Sequence, residues 1–431
     1  MKVAITTLGC KVNQYDSASL ATQLAQAGHA LHEFAPGADV YIVNSCTVTD
    51  RADAESRQLA RRVKRWNPAA RVIMTGCYVA ANPQAVAAVS EVDFVIGLGR
   101  RDEMLRAVAG TLEEERVCVD NLRKAEGAPL LGAQTFSGRT RAFLKVQDGC
   151  DLFCTFCIVP WSRGRSRSVP PRAILAELDT LAARGFQEVV LTGIHLGGYG
   201  HDLQPRIGLA DLVEMIAERA PLRRIRLSSI DPPEVSARLL DVMRRSDVIC
   251  PHLHMPVQAG DDAVLRGMRR RYDRQRVCDV AAEIRRQLPD AGLGTDVIAG
   301  FPGETDSQFA NTVELIDSLS FSYLHVFPYS RRSGTTAAKQ TGQLPKSTIA
   351  SRAQRLRKLS DRKRAAFAAR FVGRPLQVLA EGDDAVEAAR TGYARNYVRV
   401  ALVGTVPGNC EVTVRVSGLR GGCAEGIVES A

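Results

Sequence analysis

No apolar run in the chain approaches the roughly 18–20 residues that a membrane-spanning helix needs, so no membrane partner is expected. The first residues, Met1-Lys2-Val3-Ala4-Ile5, pass straight into a strand-like run and lack the layout of a secretory signal. There is no internal repeat and no low-complexity tract. Acidic residues are in deficit: 47 Asp and Glu face 57 Lys and Arg, a net charge of +10 that favours a polyanionic partner such as nucleic acid. Eleven cysteines in 431 residues are too sparse for a disulfide scaffold. Without a secretion signal they read as metal ligands and buried thiols in a reducing compartment, so a cytoplasmic location is expected.

What is present is strand–helix alternation over most of the length, two to three domains' worth of chain. Residues 1–125 show strand-like runs at 3–8, 40–43, 71–74 and 94–96, with helical spacing over 16–27, where Asp16 or Ser17 serves as N-cap, and over 53–66. Such alternation implies an α/β fold with a parallel sheet. Residues 120–138 read as a linker. Alternation then resumes, with strands expected at 141–146, 188–194, 224–229, 252–257, 295–300 and 323–328 and helices at 171–184, 207–219, 233–245, 261–287 and 304–319. Six β/α units fit a partial (β/α)6 barrel, whose sites lie at the strand C-terminal ends. A strongly basic helix fills 347–370. The last sixty residues hold β-type runs at 376–379, 397–402 and 411–414, which suggests a small β-barrel. The domains are accordingly placed at 1–125, 136–370 and 371–431.

The densest chemistry lies in Gly149-Cys150-Asp151-Leu152-Phe153-Cys154-Thr155-Phe156-Cys157. Three thiolates spaced C-x3-C-x2-C in one loop can hold three irons of a 4Fe–4S cube and leave the fourth open. A structural zinc loop or plain core cysteines are the bland alternatives, but zinc sites usually take four ligands in two spaced pairs, and this loop has no fourth Cys or His. Cys10, Cys46 and Cys77 each fall just past the first, second and third strands. In a parallel sheet those ends share one edge, so the three are expected to converge and hold a second cluster; the alternative is three small buried hydrophobes. Cys118, Cys250, Cys278, Cys410 and Cys423 have no spacing partner and read as buried thiols, and His195 and His254 as structural histidines.

The C-x3-C-x2-C loop resembles the radical S-adenosylmethionine (SAM) superfamily, whose open iron binds SAM. With both cysteine sets placed, the whole chain resembles the radical-SAM methylthiotransferases. The motifs are Thr7-Leu8-Gly9-Cys10-Lys11-Val12-Asn13-Gln14, Asn44-Ser45-Cys46-Thr47-Val48-Thr49, Thr75-Gly76-Cys77-Tyr78, Arg141 to Cys150, His252 to Gly260, and Phe327-Pro328-Tyr329-Ser330. Ala259 and Arg331-Arg332-Ser333 depart from the family's usual residues. Lys11-Val12-Asn13-Gln14 and the Cys-Thr-Val-Thr run resemble the bacterial class that acts on N6-threonylcarbamoyladenosine in tRNA.

The resemblance implies an N-terminal methylthiotransferase domain, a radical-SAM domain and an RNA-binding TRAM barrel. It implies two 4Fe–4S clusters, on Cys150, Cys154 and Cys157 and on Cys10, Cys46 and Cys77, with Gly193, Ser229 and Gln258 contacting SAM. The substrate it implies is the adenosine beside the anticodon, in the tRNA anticodon stem-loop, and the electron donor a flavodoxin or ferredoxin. Arg61-Arg62, Arg269-Arg270-Arg271 and the 355–364 helix could contact phosphates, and Tyr393, Arg395, Asn396, Tyr397 and Arg399 could stack on RNA bases. Sister classes acting on a ribosomal-protein aspartate or on isopentenyladenosine, and a non-catalytic RNA-binding iron–sulfur sensor, remain alternatives.

Overall fold

The computed structural model describes residues 1–431 except 113–114, 126, 129–131, 134–135, 137–139, 383–385 and 431. Parts of the expected 120–138 linker therefore lie outside the described residues. Among the described residues, no helix is long and apolar enough to cross a membrane. The chain forms two compact units: Met1–Thr135, Phe143–Val169 and Ser330–Ala338 in the first; Phe136–Ala142, Pro170–Tyr329 and Lys339–Ala431 in the second.

The first unit begins with β1 (Lys2–Thr7), α1 (Lys11–Gln26), β2 (Ala30–His32), β3 (Val40–Ser45), α2 (Asp50–Trp66) and β4 (Arg71–Gly76). It continues through α3 (Cys77–Ala81), α4 (Pro83–Ala87), β5 (Phe94–Ile96), α5 (Arg101–Ala109) and β6 (Val117–Cys118). The six strands form one parallel sheet in the order β2-β1-β3-β4-β5-β6. Both faces are covered, so β3 is buried along its whole length rather than alternating. Tyr41 and Val43 join the core on one face, while Val40 and Ile42 pack with Leu20, Leu24 and Met104 on the other.

α1 starts five residues before the expected position, capped at Cys10 rather than at Asp16 or Ser17. Its first turns carry Asn13 and Asp16 inward, so the polar residues that look like a cap are buried partners instead. α2 likewise starts at Asp50, because the Thr49 hydroxyl accepts from the Ala52 amide at 3.2 Å and caps it there. β7 (Arg141–Asp148), along which the chain passes between the units, forms an antiparallel ladder with β8 (Arg167–Ser168), and the loop between them contains α6 (Val159–Ser162).

The second unit alternates α7 (Pro171–Ala183), β9 (Glu188–Gly193), α8 (Leu209–Arg219), β10 (Arg224–Leu227), α9 (Ala237–Arg245) and β11 (His252–His254). α10 (Asp262–Gly267), α11 (Arg274–Gln287), β12 (Gly292–Ala299), α12 (Asp306–Ser318) and β13 (Tyr323–Pro328) follow. β9 pairs with β10, β10 meets β11 through a Ser229–His254 bridge, and β11, β12 and β13 pair in turn, all parallel. The single helix expected over 261–287 is two. Gly267 and Arg269, at φ +60, break it, and Asp273 caps the second piece by accepting from the Arg276 amide.

After α13 (Thr336–Lys339), α14 (Lys346–Ala369) carries the basic run into a closed barrel. Its strands are β14 (Pro375–Ala380), β15 (Val386–Ala394), β16 (Arg399–Pro407), β17 (Glu411–Arg420) and β18 (Cys423–Ser430), in the order β14-β15-β16-β18-β17. Phe367 of α14 and Phe371 just beyond its end seal the barrel core against Val378, Val400 and Val414. The expected 397–402 strand begins only at Arg399, because Tyr397 turns the chain at φ +70.

Candidate functional site

β1, β3 and β4 run parallel side by side, so their C-terminal ends emerge on one edge. Cys10 caps α1 beyond β1, Cys46 follows β3 directly, and Cys77 is the first residue of α3 after β4. The expected convergence is realised, and the thiols act on one another's charge. Burial, then Cys77 and Cys10, push the Cys46 thiol up to about 12. Burial, with a further push from Cys10, raises Cys77, against a lowering pull from Arg163. Cys46 and Cys77 are buried and Cys10 is exposed, so the trio opens outward at one member.

The backbone leaves room for these thiols. Gly9 sits at φ +96, and a Cβ there would come within 2.7 Å of Cys46 Sγ. Gly76, at φ +98, would drive a Cβ to 2.3 Å from the Ser45 carbonyl. Only glycine meets both conditions at once. Asn13, fully buried, donates from Nδ2 to the Leu8 carbonyl at 2.8 Å and the Ser45 carbonyl at 3.0 Å, tying the end of β1 to that of β3. This three-thiol set fits a 4Fe–4S cluster with one iron left for a ligand from outside the protein.

Cys150, Cys154 and Cys157 lie in the same unit, in the loop between β7 and β8. Gly149, at φ +73, abuts the Arg165 carbonyl so closely that a Cβ would lie 1.8 Å from it. The Cys150 amide donates to the Gly164 carbonyl at 3.0 Å and the Cys157 amide to the Cys154 carbonyl at 3.0 Å. Gln147 clamps the loop's start by donating to the Gly149 carbonyl at 2.7 Å and to Ser166 Oγ at 2.9 Å. Phe153, at φ +49, turns its ring edge-on to Trp161 at 5.5 Å. These constraints hold three thiols in one short turn, a donor set suited to the same kind of cluster.

A buried charge network joins these two regions, and reading the sequence for periodicity missed it. Arg163, 1 % exposed, donates from Nε to Cys77 Sγ at 3.2 Å, from Nη2 to Asn13 Oδ1, and from Nη1 to Asp16 Oδ2 at 2.7 Å. Lys145 bridges Asp16 at 2.7 Å and Asp148 at 2.9 Å. Asp148 in turn accepts from the Gly149 amide at 2.9 Å, one residue before Cys150. Burial opposes ionisation of Asp16, but Lys145 and Arg163 outweigh it and hold that carboxyl below its ordinary value. On the far side of Cys46, Arg332 binds Thr47 Oγ1 at 2.7 Å and pairs with Asp50 and Asp53.

In the second unit, Gly193 ends β9, Ser229 follows β10 and Gln258 follows β11, so the three occupy one edge of a parallel series. Gln258 is held at φ +68, its amide donating to the Asp296 carbonyl at 2.8 Å. The neighbouring Ser228 Oγ is buried without a hydrogen-bond partner among the described residues.

Two regions of the chain match known families: residues 2–97 match Uncharacterized protein family UPF0004 and residues 144–316 the Radical SAM superfamily. Threonylcarbamoyladenosine tRNA methylthiotransferase MtaB of Bacillus subtilis is 39% identical over 94% of this chain and 90% of its own length. The chain belongs to the MtaB-type radical-SAM tRNA methylthiotransferase family. A relative named tRNA-2-methylthio-N(6)-dimethylallyladenosine synthase, from Desulfitobacterium hafniense, is 33% identical over 94% of this chain and 92% of its own. Among solved structures, the radical S-adenosylmethionine methyltransferase TsrM of Kitasatospora setae superposes with a TM-score of 0.55 over 76% of this chain and 76% of that one, at 16% identity, a likeness of fold. Membership of the family implies a 4Fe–4S cluster and SAM, and the donor sets described above suit that cluster.

Seen within the family, other residues sort by their surroundings. His195 binds Glu234 at 2.5 Å; burial works against its charge, yet the Glu234 bond leaves its pKa raised. His254, Asp296 and His325 cluster on three adjacent strands, but the imidazole rings of His254 and His325 stack at 4.9 Å and 28°. His254 Nε2 at 2.8 Å and His325 Nδ1 at 3.3 Å both meet Asp296 Oδ1, so the group reads as a hydrogen-bonded cluster on that carboxylate. Arg270 is paired with Asp231 at 2.7 Å, so it is no surface phosphate contact. Arg61 and Arg62 are exposed on α2. Of the five unassigned cysteines, Cys118 and Cys250 are buried, whereas Cys278, Cys410 and Cys423 are only half-buried.

Of the residues proposed from sequence to stack on RNA, Arg395 is committed to Glu411 at 2.8 Å. Tyr393 and Tyr397 stack on each other at 4.7 Å and line a cavity of about 340 Å³ with Asn396, Arg399, Arg364 and Tyr323. Tyr323 and Arg364, from β13 and α14, had no sequence signal linking them to the barrel.

Proposed function

We propose that this protein inserts a methylthio group at carbon-2 of N6-threonylcarbamoyladenosine beside the anticodon of tRNA, using two SAM molecules and two 4Fe–4S clusters. The observation that carries the reading is the presence of two three-cysteine sets in one folded unit, joined by the Arg163 network. The substrate follows the name of the Bacillus subtilis relative and the motif Lys11-Val12-Asn13-Gln14. When bound, the clusters and SAM supply a radical able to attack an inert C–H bond and the sulfur to be transferred; that chemistry belongs to the cofactors.

The chain's own residues bind and orient. Cys150, Cys154 and Cys157 hold the SAM cluster, and Gly193, Ser229 and Gln258 contact SAM. Cys10, Cys46 and Cys77 hold the auxiliary cluster. Residues 1–125 act as the methylthiotransferase domain, 136–370 as the radical-SAM domain and 371–431 as the TRAM domain. The exposed Arg355, Arg357, Lys358, Arg362 and Arg364 on α14 meet phosphates, and the Tyr393–Tyr397 cavity takes an unstacked base of the anticodon stem-loop. A flavodoxin or ferredoxin supplies electrons, in the cytoplasm.

The experiment is a choice among three anaerobic substrates: tRNA bearing threonylcarbamoyladenosine, tRNA bearing isopentenyladenosine, and the ribosomal-protein peptide. Mass spectrometry should find methylthiolation of the first alone. Preferential turnover of either other substrate moves the chain to a sister class.

A further inference from the structure

Arg163 bonds both to the Cys77 thiol and to Asp148, two residues before Cys150. Its three nitrogens are divided among a thiol, an amide oxygen and a carboxylate: Nε to Cys77 Sγ at 3.2 Å, Nη2 to Asn13 Oδ1, and Nη1 to Asp16 at 2.7 Å, with Asp148 at 3.3 Å. A planar guanidinium can make these bonds at once in fixed directions; an ammonium cannot.

The surrounding charge balance is uneven. Two carboxylates, Asp16 and Asp148, face Arg163, Lys145 and the half-buried Arg101, whose enclosed Nε has no hydrogen-bond partner among the described residues. A cation in excess in a buried place is costly unless a further anion completes it. Metal-ligating cysteines are thiolates, and three of them beside Arg163 supply that anion.

We propose that Arg163 is a positioning residue for the auxiliary cluster: it fixes the Cys77 sulfur by an N–H···S bond and sets that cluster's reduction potential. The inference rests on Cys10, Cys46 and Cys77 holding a cluster. Hydrogen bonds and positive charge at a ligand sulfur favour the more reduced, more negative cluster, so Arg163 raises the potential. Its link through Asp16, Lys145 and Asp148 to Gly149 places the same cation between the auxiliary site and the start of the SAM-cluster loop.

The test uses the full chain with Cys150, Cys154 and Cys157 changed to Ala, so that only the auxiliary site contributes. After anaerobic reconstitution with iron and sulfide, iron content, the electron paramagnetic resonance spectrum of the reduced cluster and its midpoint potential are measured. Arg163→Gln should shift the potential to more negative values at unchanged iron content, and Arg163→Lys should fall between it and the parent. Asp16→Asn, which removes the opposing charge while keeping the side chain's shape, should shift the potential the other way, and it serves equally if Arg163→Gln does not fold. Equal potentials in the parent and these variants at full iron content overturn the role given to Arg163. A parent that takes up no iron overturns the auxiliary-cluster reading itself, and the proposal with it.

Discussion

At Gly9 there is no room for even one methyl group beside the Cys46 thiol. The backbone is left-handed there, at φ +96, and an added Cβ would press on Cys46 Sγ at 2.7 Å. A non-glycine residue in that conformation costs about 1–2 kcal/mol before the collision is counted. If Cys10, Cys46 and Cys77 hold a cluster as proposed, Gly9→Ala should lose that iron, leaving about half of the roughly eight irons that two cubane clusters would hold, as a colorimetric iron assay on the purified, reconstituted protein would read. Retention of full iron would show that the Cys46 loop yields easily. Glu188 offers a second test at this scale. It is fully buried, and burial alone would raise its pKa, but Arg226 and Arg224 bring it down from 4.5 to about 2. Because the folded-state value is depressed, the pair's stabilisation is present above pH 4.5 and is lost as pH falls from there through about 2. Glu188→Gln leaves two buried guanidinium groups short of a carboxylate and should cost about 3–5 kcal/mol at pH 7. Its unfolding free energy, measured by denaturant titration, should fall less steeply than the parent's below pH 4.5.

Elements explain why the two cysteine sets differ in build. The auxiliary trio is carried by three parallel strands whose ends are held by the sheet's hydrogen bonds, while the other trio depends on one loop pinned by β7, β8, Gln147 and Gly149. Each set should therefore load independently. The Cys10→Ala/Cys46→Ala/Cys77→Ala variant should keep about four of eight irons and still cleave SAM to 5′-deoxyadenosine under reduction, but should not methylthiolate tRNA. The Cys150→Ala/Cys154→Ala/Cys157→Ala variant should also keep about half the iron and lose SAM cleavage. Chromatography of the nucleosides decides between them; equal loss of cleavage in both would end the division of labour.

For the whole molecule, the excess of ten positive charges becomes useful only where cations are free. Many are not: Arg224 and Arg226 serve Glu188, Arg352 serves Glu304, and Arg395 serves Glu411. Arg364 and Arg399 are exposed beside the Tyr393–Tyr397 stack and have no ion pair among the described residues. If both meet phosphates, Arg364→Gln/Arg399→Gln should weaken anticodon stem-loop binding and lower the slope of log affinity against log salt by about 2, roughly one per contact. Fluorescence anisotropy across a salt series reads both; an unchanged slope would move the RNA elsewhere on the surface.

What the sequence determined by itself were features governed by local pattern. The parallel α/β unit, the β/α series and the closed C-terminal barrel follow from hydrophobic period and turn residues, and the cysteine loop from its spacing. The position of Cys10, Cys46 and Cys77 beyond three strands was legible because strand ends share an edge in a parallel sheet. Tertiary structure alone decided the charged interior. Asp16 reads as a helix cap, and nothing in the sequence pattern singles out Lys145, Asp148 or Arg163, because a periodicity argument places ions in water. They are buried because each finds an opposite charge or hydrogen-bond partner brought from another element, and desolvating an ion becomes tolerable only when such partners meet it. Tyr323 and Arg364 join Tyr397 around one cavity for the same reason: residues far apart in the chain become neighbours only once α14 has packed against both β13 and the barrel.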